Sequence, residues 1–285
     1  MRDAVFFLAE CEYALGSDAA AEKRYRTILT VYPDSPYRET AGFRIAGILA
    51  RAGRTDAAMQ QLDALLAAWP RGIHRSAALR LQGDILYGRK RYEDALTLYG
   101  KSLAVAADDA SRQATRLAMG LAQAALGRRD QAAALLAQAA AGPSAAASAR
   151  ALFEQGTLLA GLGRDREAAA ALSAYAARFP SGVEREPALR LLASVLERQG
   201  DAAGAWARWG ELVKGFPASA RADEHLFRRA GAALRSERLA DALEDYTRLT
   251  RDFPRSPYRA EASYGIGFVY TRRGEYSRAL PFFES

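Results

Sequence analysis

The sequence contains a single cysteine and few aromatic residues, and it lacks asparagine and long apolar runs. The one cysteine, Cys11, excludes an internal disulfide and a metal site built from several cysteines. Only 9% of the 285 residues are aromatic, and no stretch reaches the about 18 uncharged apolar residues of a transmembrane helix. The opening residues include acidic side chains and no small-residue cleavage site, which argues against a secretory signal peptide. We therefore expect no membrane insertion by this segment.

The basic residues are almost all arginine. Lysine occurs only at Lys23, Lys90, Lys101 and Lys214, among 40 basic residues. The formal net charge of +7 is moderate for this length, and acidic residues are interspersed with the basic ones. Nucleic-acid-binding proteins usually concentrate positive charge on one face or in one run, and the sequence has no such run. The charge pattern therefore favours a solvated helical surface over a nucleic-acid interface.

A motif of 37 residues repeats along the chain. An aromatic residue followed by proline recurs, and the intervals from Pro33 to Pro70, from Pro180 to Pro217 and from Pro217 to Pro254 are each 37 residues. A second marker keeps this spacing, apart from one step of 36: Gly16, Gly53, Lys90, Gly127, Gly163, Gly200, Glu237 and Gly274. The position of a residue within its repeat is given below relative to this marker, which is position 0.

Three positions keep their side-chain size in all eight repeats. Position −7 is alanine or glycine, position +5 is alanine, and position +9 is a large residue. The residues at position +9 are Tyr25, Leu62, Tyr99, Leu136, Leu172, Trp209, Tyr246 and Phe283. Small residues allow two helices to approach closely, and the large residue fills the space between neighbours.

Each repeat predicts a helix, a tight turn and a second helix. The segment before the marker has helical periodicity, as in Leu189, Leu192 and Leu196, and glycine suits the residue with positive φ that ends many helices. The second helix ends at the aromatic–proline pair, because the residue before proline disfavours helical backbone angles. Ser35-Pro36 and Ser256-Pro257 then predict an N-cap followed by proline at the first helical position. No single repeat can bury both of its apolar faces, so the repeats must stack.

This order of small residue, turn glycine, alanine, large residue and proline resembles the tetratricopeptide repeat. The resemblance implies an all-α fold, an α-solenoid that winds as a right-handed superhelix of about eight helix–turn–helix repeats. We expect a single continuous array over residues 1–285, with a flexible joint or an equally plausible rigid, alanine-rich turn near 139–149. Repeat arrays need polar caps, which this sequence lacks, so we expect a fragment of a longer chain or ends that other parts supply.

The 37-residue repeat, with its FPxSxxAxxA link, is also similar to the repeats of bacterial cell-envelope proteins. These include the outer-membrane barrel-assembly lipoproteins and the Tol–Pal-associated periplasmic proteins. The similarity implies the periplasm or the outer membrane if a signal peptide or lipid anchor precedes the chain, and the cytoplasm otherwise.

The sequence offers no constellation of residues for catalysis. His74 and His225 lie about four repeats apart, so we expect neither a shared metal site nor a pair with Cys11, and each histidine is interpreted as a surface or hydrogen-bonded residue. Phosphate-binding loops, H-E-x-x-H and nucleophile-elbow motifs are absent. Asp108-Asp109 and Glu244-Asp245 are expected to face helix ends or solvent. We therefore predict no enzyme activity, no cofactor and no metal site.

The family resemblance places the ligand groove along the first helix of each repeat, at position −10 and nearby. The projected groove residues are Phe6, Tyr13, Phe43, Arg80, Tyr87, Phe153, Arg190, Arg198, Phe227, Arg235, Tyr264 and Phe268. Aromatic residues and arginines dominate interface hot spots. The phenylalanines fit core packing equally well, whereas the arginines fit a groove better because a buried arginine needs a partner.

Two specific binding codes are absent. Some tetratricopeptide domains hold a chaperone's C-terminal carboxylate with lysine and with asparagine at position −6. That position here reads Glu10, Gly47, Asp84, Leu121, Thr157, Ser194, Gly231 and Phe268. The small polar side chains with which pentatricopeptide repeats read RNA are missing as well.

We therefore expect a non-enzymatic protein–protein interaction scaffold. Its concave groove would bind a protein or peptide segment with apolar and acidic side chains, within a bacterial cell-envelope assembly. Two alternatives stay open: a helical-repeat nucleic-acid-binding protein, for which a steep loss of affinity with salt is diagnostic, and the recognition arm of a larger enzyme.

Overall fold

The computed structural model describes residues 2–284, which form α-helices joined by short turns, with no β-strand among them. The helices are α1 (Arg2–Ala14), α2 (Asp18–Val31), α3 (Arg38–Arg51), α4 (Thr55–Ala68), α5 (Arg75–Gly88), α6 (Tyr92–Val105), α7 (Asp109–Ala125), α8 (Arg129–Ala140), α9 (Ala145–Gly161), α10 (Asp165–Arg178), α11 (Arg185–Arg198), α12 (Ala202–Gly215), α13 (Ala222–Arg235), α14 (Leu239–Asp252), α15 (Arg259–Arg272) and α16 (Tyr276–Ala279). A 3₁₀ turn over Leu280–Phe282 follows the last helix. The all-α prediction, with two helices to each repeat, is confirmed.

The chain divides into two units, an N-terminal unit of Met1–Ser148 and a C-terminal unit of Ala149–Ser285. In the N-terminal unit each helix from α1 to α8 packs on the next, and in the C-terminal unit the same holds from α10 to α16. This consecutive packing is that of an α-solenoid of helix–turn–helix repeats. The division falls beside the segment 139–149; the joint there and the single continuous array stay predictions.

The turn at position 0 has the same geometry in every repeat. All eight marker residues have positive φ, including Lys90 and Glu237, which are not glycine and both have φ of 61°. In the first turn Gly16 N donates to Tyr13 O at 3.1 Å and Ser17 N donates to Glu12 O at 2.8 Å. This pair of hydrogen bonds is the Schellman motif, which satisfies the last carbonyls of the helix and needs a left-handed residue. The prediction of a tight turn at each marker is confirmed.

The predicted serine N-caps are wrong, because a turn separates the proline link from the following helix. Helix α3 begins at Arg38 and its N-cap is Tyr37, two residues after Ser35. The Ser35 hydroxyl accepts a hydrogen bond from the backbone N–H of Tyr37 at 3.2 Å, and that of Ser256 accepts one from Tyr258 at 3.1 Å. Each serine therefore closes the turn that positions the helix start.

The size pattern of the repeats is a packing pattern. Alanines at position +5 are fully buried or nearly so, and the large residues at position +9 are buried except for Phe283. In the third repeat, glycine at position −7 leaves no room for a side chain: a Cβ on Gly83 would lie 2.4 Å from the ring of Tyr99. The two helices of that repeat therefore approach as closely as the small column predicts.

The alanine-rich stretch beside position 139 is held by a buried polar network. The Gln113 side chain is 1% exposed. Its Nε2 donates to Ala139 O at 2.8 Å and to Ser148 Oγ at 3.0 Å, while its Oε1 accepts from Ser144 N at 2.7 Å. Alanine buries little apolar area, so these hydrogen bonds supply contacts that larger side chains make elsewhere.

Candidate binding cleft

Three of the four phenylalanines at position −10 stack on the N-cap residue of the next repeat, and the fourth, Phe153, lies 6.2 Å from the ring of Tyr175 in its own repeat. The ring pairs and their centroid distances are Phe6–Tyr37 at 4.1 Å, Phe43–His74 at 4.8 Å and Phe227–Tyr258 at 4.9 Å. Phe6 is only 7% exposed, so it belongs to the core and offers a ligand little surface. Phe43, Phe153 and Phe227 are half-buried, which combines packing between repeats with accessible surface.

The other predicted groove residues of the N-terminal unit are partly accessible. Tyr13 lies between two guanidinium groups, those of Arg44 and Arg51, at 4.6 and 4.4 Å from its ring centroid. Arg80 and Tyr87 are half-buried. These side chains make contacts within their own unit and leave part of their surface free for a ligand.

The C-terminal unit brings three of the predicted residues together. Phe227, Arg235 and Phe268 line one open cleft of about 530 Å³. Arg198 is outside that lining and pairs with a carboxylate of the preceding repeat, and Tyr264 is 60% exposed beside the 3₁₀ turn. The cleft therefore gathers part of the predicted groove on neighbouring first helices.

The cleft has an apolar floor and a charged rim, built by α11, α13, α14 and α15. The floor contains Phe227, Leu234, Tyr246 and Phe268, with Gly231 between them. The rim consists of Glu197, Arg228, Arg235, Glu237 and Arg272. Seven of these residues were not predicted from the sequence, namely Glu197, Arg228, Gly231, Leu234, Glu237, Tyr246 and Arg272.

Glu197 is the central acceptor of the rim. Its Oε1 accepts hydrogen bonds from Arg235 Nη2 at 2.7 Å and from Trp209 Nε1 at 3.2 Å, and Arg228 Nη1 lies 3.9 Å from its Oε2. With Arg272 and Glu237 included, the rim has three guanidinium groups and two carboxylates. The balance leaves a positive charge beside an apolar floor.

Arginines at position −2 bind an aspartate of the preceding repeat in two places. Arg51 pairs with Asp18 at 2.6 Å, and Arg198 pairs with Asp165 at 2.6 Å. Both aspartates occupy position +2, at the start of a second helix. The hydrogen bond from Arg198 lowers the pKa of Asp165 below its ordinary value, so this carboxylate is ionised at neutral pH.

The same pairing is missing at the cleft. Arg235 and Arg272 also occupy position −2, but Ala202 and Leu239 stand at position +2 of their preceding repeats. Without the aspartate, Arg235 turns to Glu197, and Arg272 lies 3.8 Å from Glu237. Both guanidinium groups consequently line the cleft. Arginine at position −2 together with alanine or leucine, in place of aspartate, at position +2 of the preceding repeat is a sequence signal that could have located it.

Two repeats of the N-terminal unit contain a carboxylate that binds both a buried tyrosine of the same repeat and an arginine. In the first repeat, the hydroxyl of Tyr25, at position +9, donates a hydrogen bond of 2.5 Å to Oε1 of Glu10, at position −6. Arg44 donates to both oxygens of Glu10, at 3.0 and 2.8 Å. Burial raises the pKa of Glu10, but the hydrogen bonds from Arg44 and Tyr25 outweigh it and leave the pKa below its ordinary value.

The third repeat has a similar cluster, in which the arginine comes from the same repeat and makes fewer hydrogen bonds. The Tyr99 hydroxyl donates to Asp84 Oδ1 at 2.8 Å, and Arg80 Nη1 donates to Asp84 Oδ2 at 3.0 Å. Burial raises the pKa of Asp84 above its ordinary value despite both partners. A carboxylate at position −6 is thus the acceptor for a buried tyrosine at position +9 in both repeats.

Two buried polar residues depart from the sequence interpretation. His225 is fully buried and neither ring nitrogen has a hydrogen-bond partner among residues 2–284, whereas a satisfied residue was expected. Burial lowers its pKa, so it is neutral at pH 7. Asp245, expected at a helix end or in solvent, is 1% exposed and accepts a hydrogen bond from Arg229 Nε at 2.6 Å. Both positions face a neighbouring helix that the sequence alone does not identify.

Within residues 2–284, no three histidine, cysteine, aspartate or glutamate side chains come together as metal ligands. No helix in this range is long and apolar enough to cross a membrane.

Comparison with protein families matches the chain along most of its length. The tetratricopeptide repeat-like domain matches residues 2–122, and the tetratricopeptide repeat matches residues 117–183, 190–257 and 227–285. Comparison with curated proteins finds no match.

Several solved structures have a similar fold. PilF of Pseudomonas aeruginosa is 20% identical, with 78% of this chain and 95% of that chain covered and a TM-score of 0.59. The C-terminal part of a repeat-containing protein from Cytophaga hutchinsonii is 13% identical, with 90% and 98% covered and a TM-score of 0.66. PilW, a widely conserved type IV pilus biogenesis factor, is 18% identical, with 80% and 99% covered and a TM-score of 0.51. At these identities the similarity shows the fold. Together with the family matches, it establishes that the chain belongs to the tetratricopeptide repeat family of protein-interaction modules.

Proposed function

We propose that this chain is a non-enzymatic scaffold that binds a segment of a partner protein in the cleft formed by α11, α13, α14 and α15. The observation that carries the proposal is that Arg235 and Arg272 line this cleft. Arg51 and Arg198, at the same position in their repeats, are instead bound by aspartate. The remaining residues of the predicted concave groove stay a prediction.

The chemistry of the cleft fits a protein segment with mixed side chains. Phe227, Leu234 and Phe268 offer apolar surface, and the arginines beside them are about half exposed. Aromatic and arginine side chains of this kind carry most of the binding energy at protein interfaces. A segment with apolar side chains for the floor and an acidic side chain for the rim satisfies both.

The cell-envelope setting rests on the repeat itself. The 37-residue spacing and its proline link are similar to those of bacterial envelope proteins, and a type IV pilus biogenesis factor is among the structures with this fold. We therefore propose an assembly of the bacterial cell envelope as the place of action.

Peptide selection tests the proposal directly, because it needs no identified partner. Phage-displayed random 12-residue peptides would be selected on the wild-type chain, and the affinity of a selected peptide measured by fluorescence anisotropy. We expect Arg272→Ala to weaken binding by about tenfold or more, because a guanidinium that contacts the ligand is lost. Arg51→Ala is the matched control, since Arg51 occupies the same repeat position but is bound to Asp18. Equal affinities for the Arg272→Ala variant and the wild type, or failure to select any peptide, would contradict the proposal.

A further inference from the structure

The seventh repeat has the buried tyrosine that binds a carboxylate in the first and third repeats, but it lacks the carboxylate. Tyr246 stands at position +9, like Tyr25 and Tyr99, whereas position −6 is Gly231 instead of glutamate or aspartate. Tyr246 is 5% exposed, and its hydroxyl has no hydrogen-bond partner among residues 2–284. The ring is buried, but the hydroxyl oxygen remains accessible from the cleft, whose lining includes Tyr246. The acceptor that the tyrosine at this position has in the first and third repeats is missing here.

The space above Gly231 is bounded by two donors. A Cβ at this position would lie 3.5 Å from Arg235 Nη1 and 3.9 Å from the Tyr246 hydroxyl, which are ordinary contact distances, and no other atom outside its own helix turn comes within 4 Å. The helix is otherwise regular here, since Gly231 has no left-handed backbone angle. The glycine therefore leaves open the place that a carboxylate fills in the first and third repeats.

Both donors are suited to a carboxylate. In the first repeat a hydroxyl and a guanidinium group bind the two oxygens of Glu10, and in the third repeat they bind those of Asp84. Hydrogen bonds from a guanidinium to a carboxylate are stronger than those to a neutral acceptor. The surplus positive charge of the rim favours the same ligand.

We propose that the cleft binds an aspartate or glutamate side chain of the partner segment, whose carboxylate takes the place left open by Gly231 between Tyr246 and Arg235. This inference rests on the proposed function and specifies its ligand. Glu197, which holds Arg235 at 2.7 Å, remains bound to Trp209 when the ligand carboxylate takes over the guanidinium. The apolar floor selects apolar neighbours for the acidic residue.

The first experiment supplies the carboxylate from the chain itself. Gly231→Glu places it at the position from which Glu10 reaches Tyr25 in the first repeat. Gly231→Gln is the matched control, since glutamine has the same shape and a similar helix propensity but no charge. We expect the melting temperature of the glutamate variant to exceed that of the glutamine variant by about 2–4 °C at pH 7. The difference should shrink towards pH 3, where the carboxyl group becomes protonated. Equal melting temperatures at pH 7 would overturn the inference.

The second experiment uses the selected peptides. We expect them to contain aspartate or glutamate next to apolar residues, and replacement of that acid by its amide to weaken binding to the wild type about tenfold. The effect of the replacement should be lost in Gly231→Glu, where the variant's own carboxylate already occupies the space. Selected peptides without an acid, or an amide peptide that binds equally well, would overturn the inference while leaving the proposed function intact. If no peptide binds at all, the proposed function fails, and the melting comparison still decides whether the place accepts a carboxylate.

Discussion

At the scale of single residues, the same two repeat positions produce different electrostatics. Glu10 receives two hydrogen bonds from Arg44 and one from Tyr25, and its pKa falls below the ordinary value. Asp84 is paired less completely, so burial prevails and its pKa rises. The balance between burial and the interactions of the charged form therefore decides the direction of the pKa shift.

These opposite shifts predict opposite pH dependence of stability. A lowered pKa means that Glu10 stabilises the fold above its unfolded pKa of about 4.5 and loses this effect as the pH falls through the folded pKa. Glu10→Gln should therefore cost about 1–3 kcal/mol at pH 7, and the cost should shrink towards pH 3, as measured by urea unfolding.

Asp84→Asn is the matched comparison. Because the pKa of Asp84 is raised, its contribution is complete below the unfolded pKa of about 3.8 and declines as the pH rises through the folded pKa. The asparagine variant should thus gain stability relative to the wild type between pH 3 and pH 7. A parallel pH dependence of both variants would contradict this account of the two clusters.

At the scale of the element, the turn between the two helices of a repeat demands a left-handed residue. Lys90 meets this demand with a φ of 61°, as the marker glycines do with φ of 69° to 79°. A residue with a Cβ destabilises the folded state by about 1–2 kcal/mol in this conformation. Glycine avoids this cost, but its larger conformational freedom in the unfolded chain offsets part of the gain.

Lys90→Gly should therefore stabilise the protein by about 0.5–1 kcal/mol, as measured by thermal unfolding. Lys101→Gly is the control, because Lys101 is an exposed lysine inside α6 and glycine there should cost about 1 kcal/mol. Loss of stability in Lys90→Gly would show that the lysine side chain makes a contribution that the turn geometry does not reveal.

At the scale of the whole molecule, the net charge of +7 is distributed over many arginines that are paired with acidic residues. We expect such pairing to leave isolated charged contacts, as in the cleft, whereas nucleic-acid binding usually depends on clustered basic residues.

Salt dependence should follow from this distribution. We expect the affinity for a selected peptide to fall less than about tenfold between roughly 50 and 200 mM salt, because few charged contacts are involved. A nucleic-acid interface with several phosphate contacts would lose about 10³-fold or more over that range. Tight binding of duplex DNA with a steep salt dependence would favour the nucleic-acid alternative.

The sequence by itself determined the repeat period, the pairing of helices, the left-handed turns and the small and large packing positions. These features depend on local backbone preferences and on side-chain size, and they recur every 37 residues, so periodicity reveals them. Of the residues that the sequence assigned to the groove, Phe227, Arg235 and Phe268 line the cleft.

Only the tertiary structure decided which arginines are bound and which line a cleft. The partners of Arg51 and Arg198 lie 33 residues earlier in the chain, whereas Arg235 pairs with Glu197, 38 residues earlier. The same holds for the buried His225 and for the space beside Gly231. Both are defined by the side chains of a neighbouring helix. A single substitution that removes one partner breaks the periodicity of the contacts between neighbouring repeats. Such contacts can therefore be identified only from the packed helices.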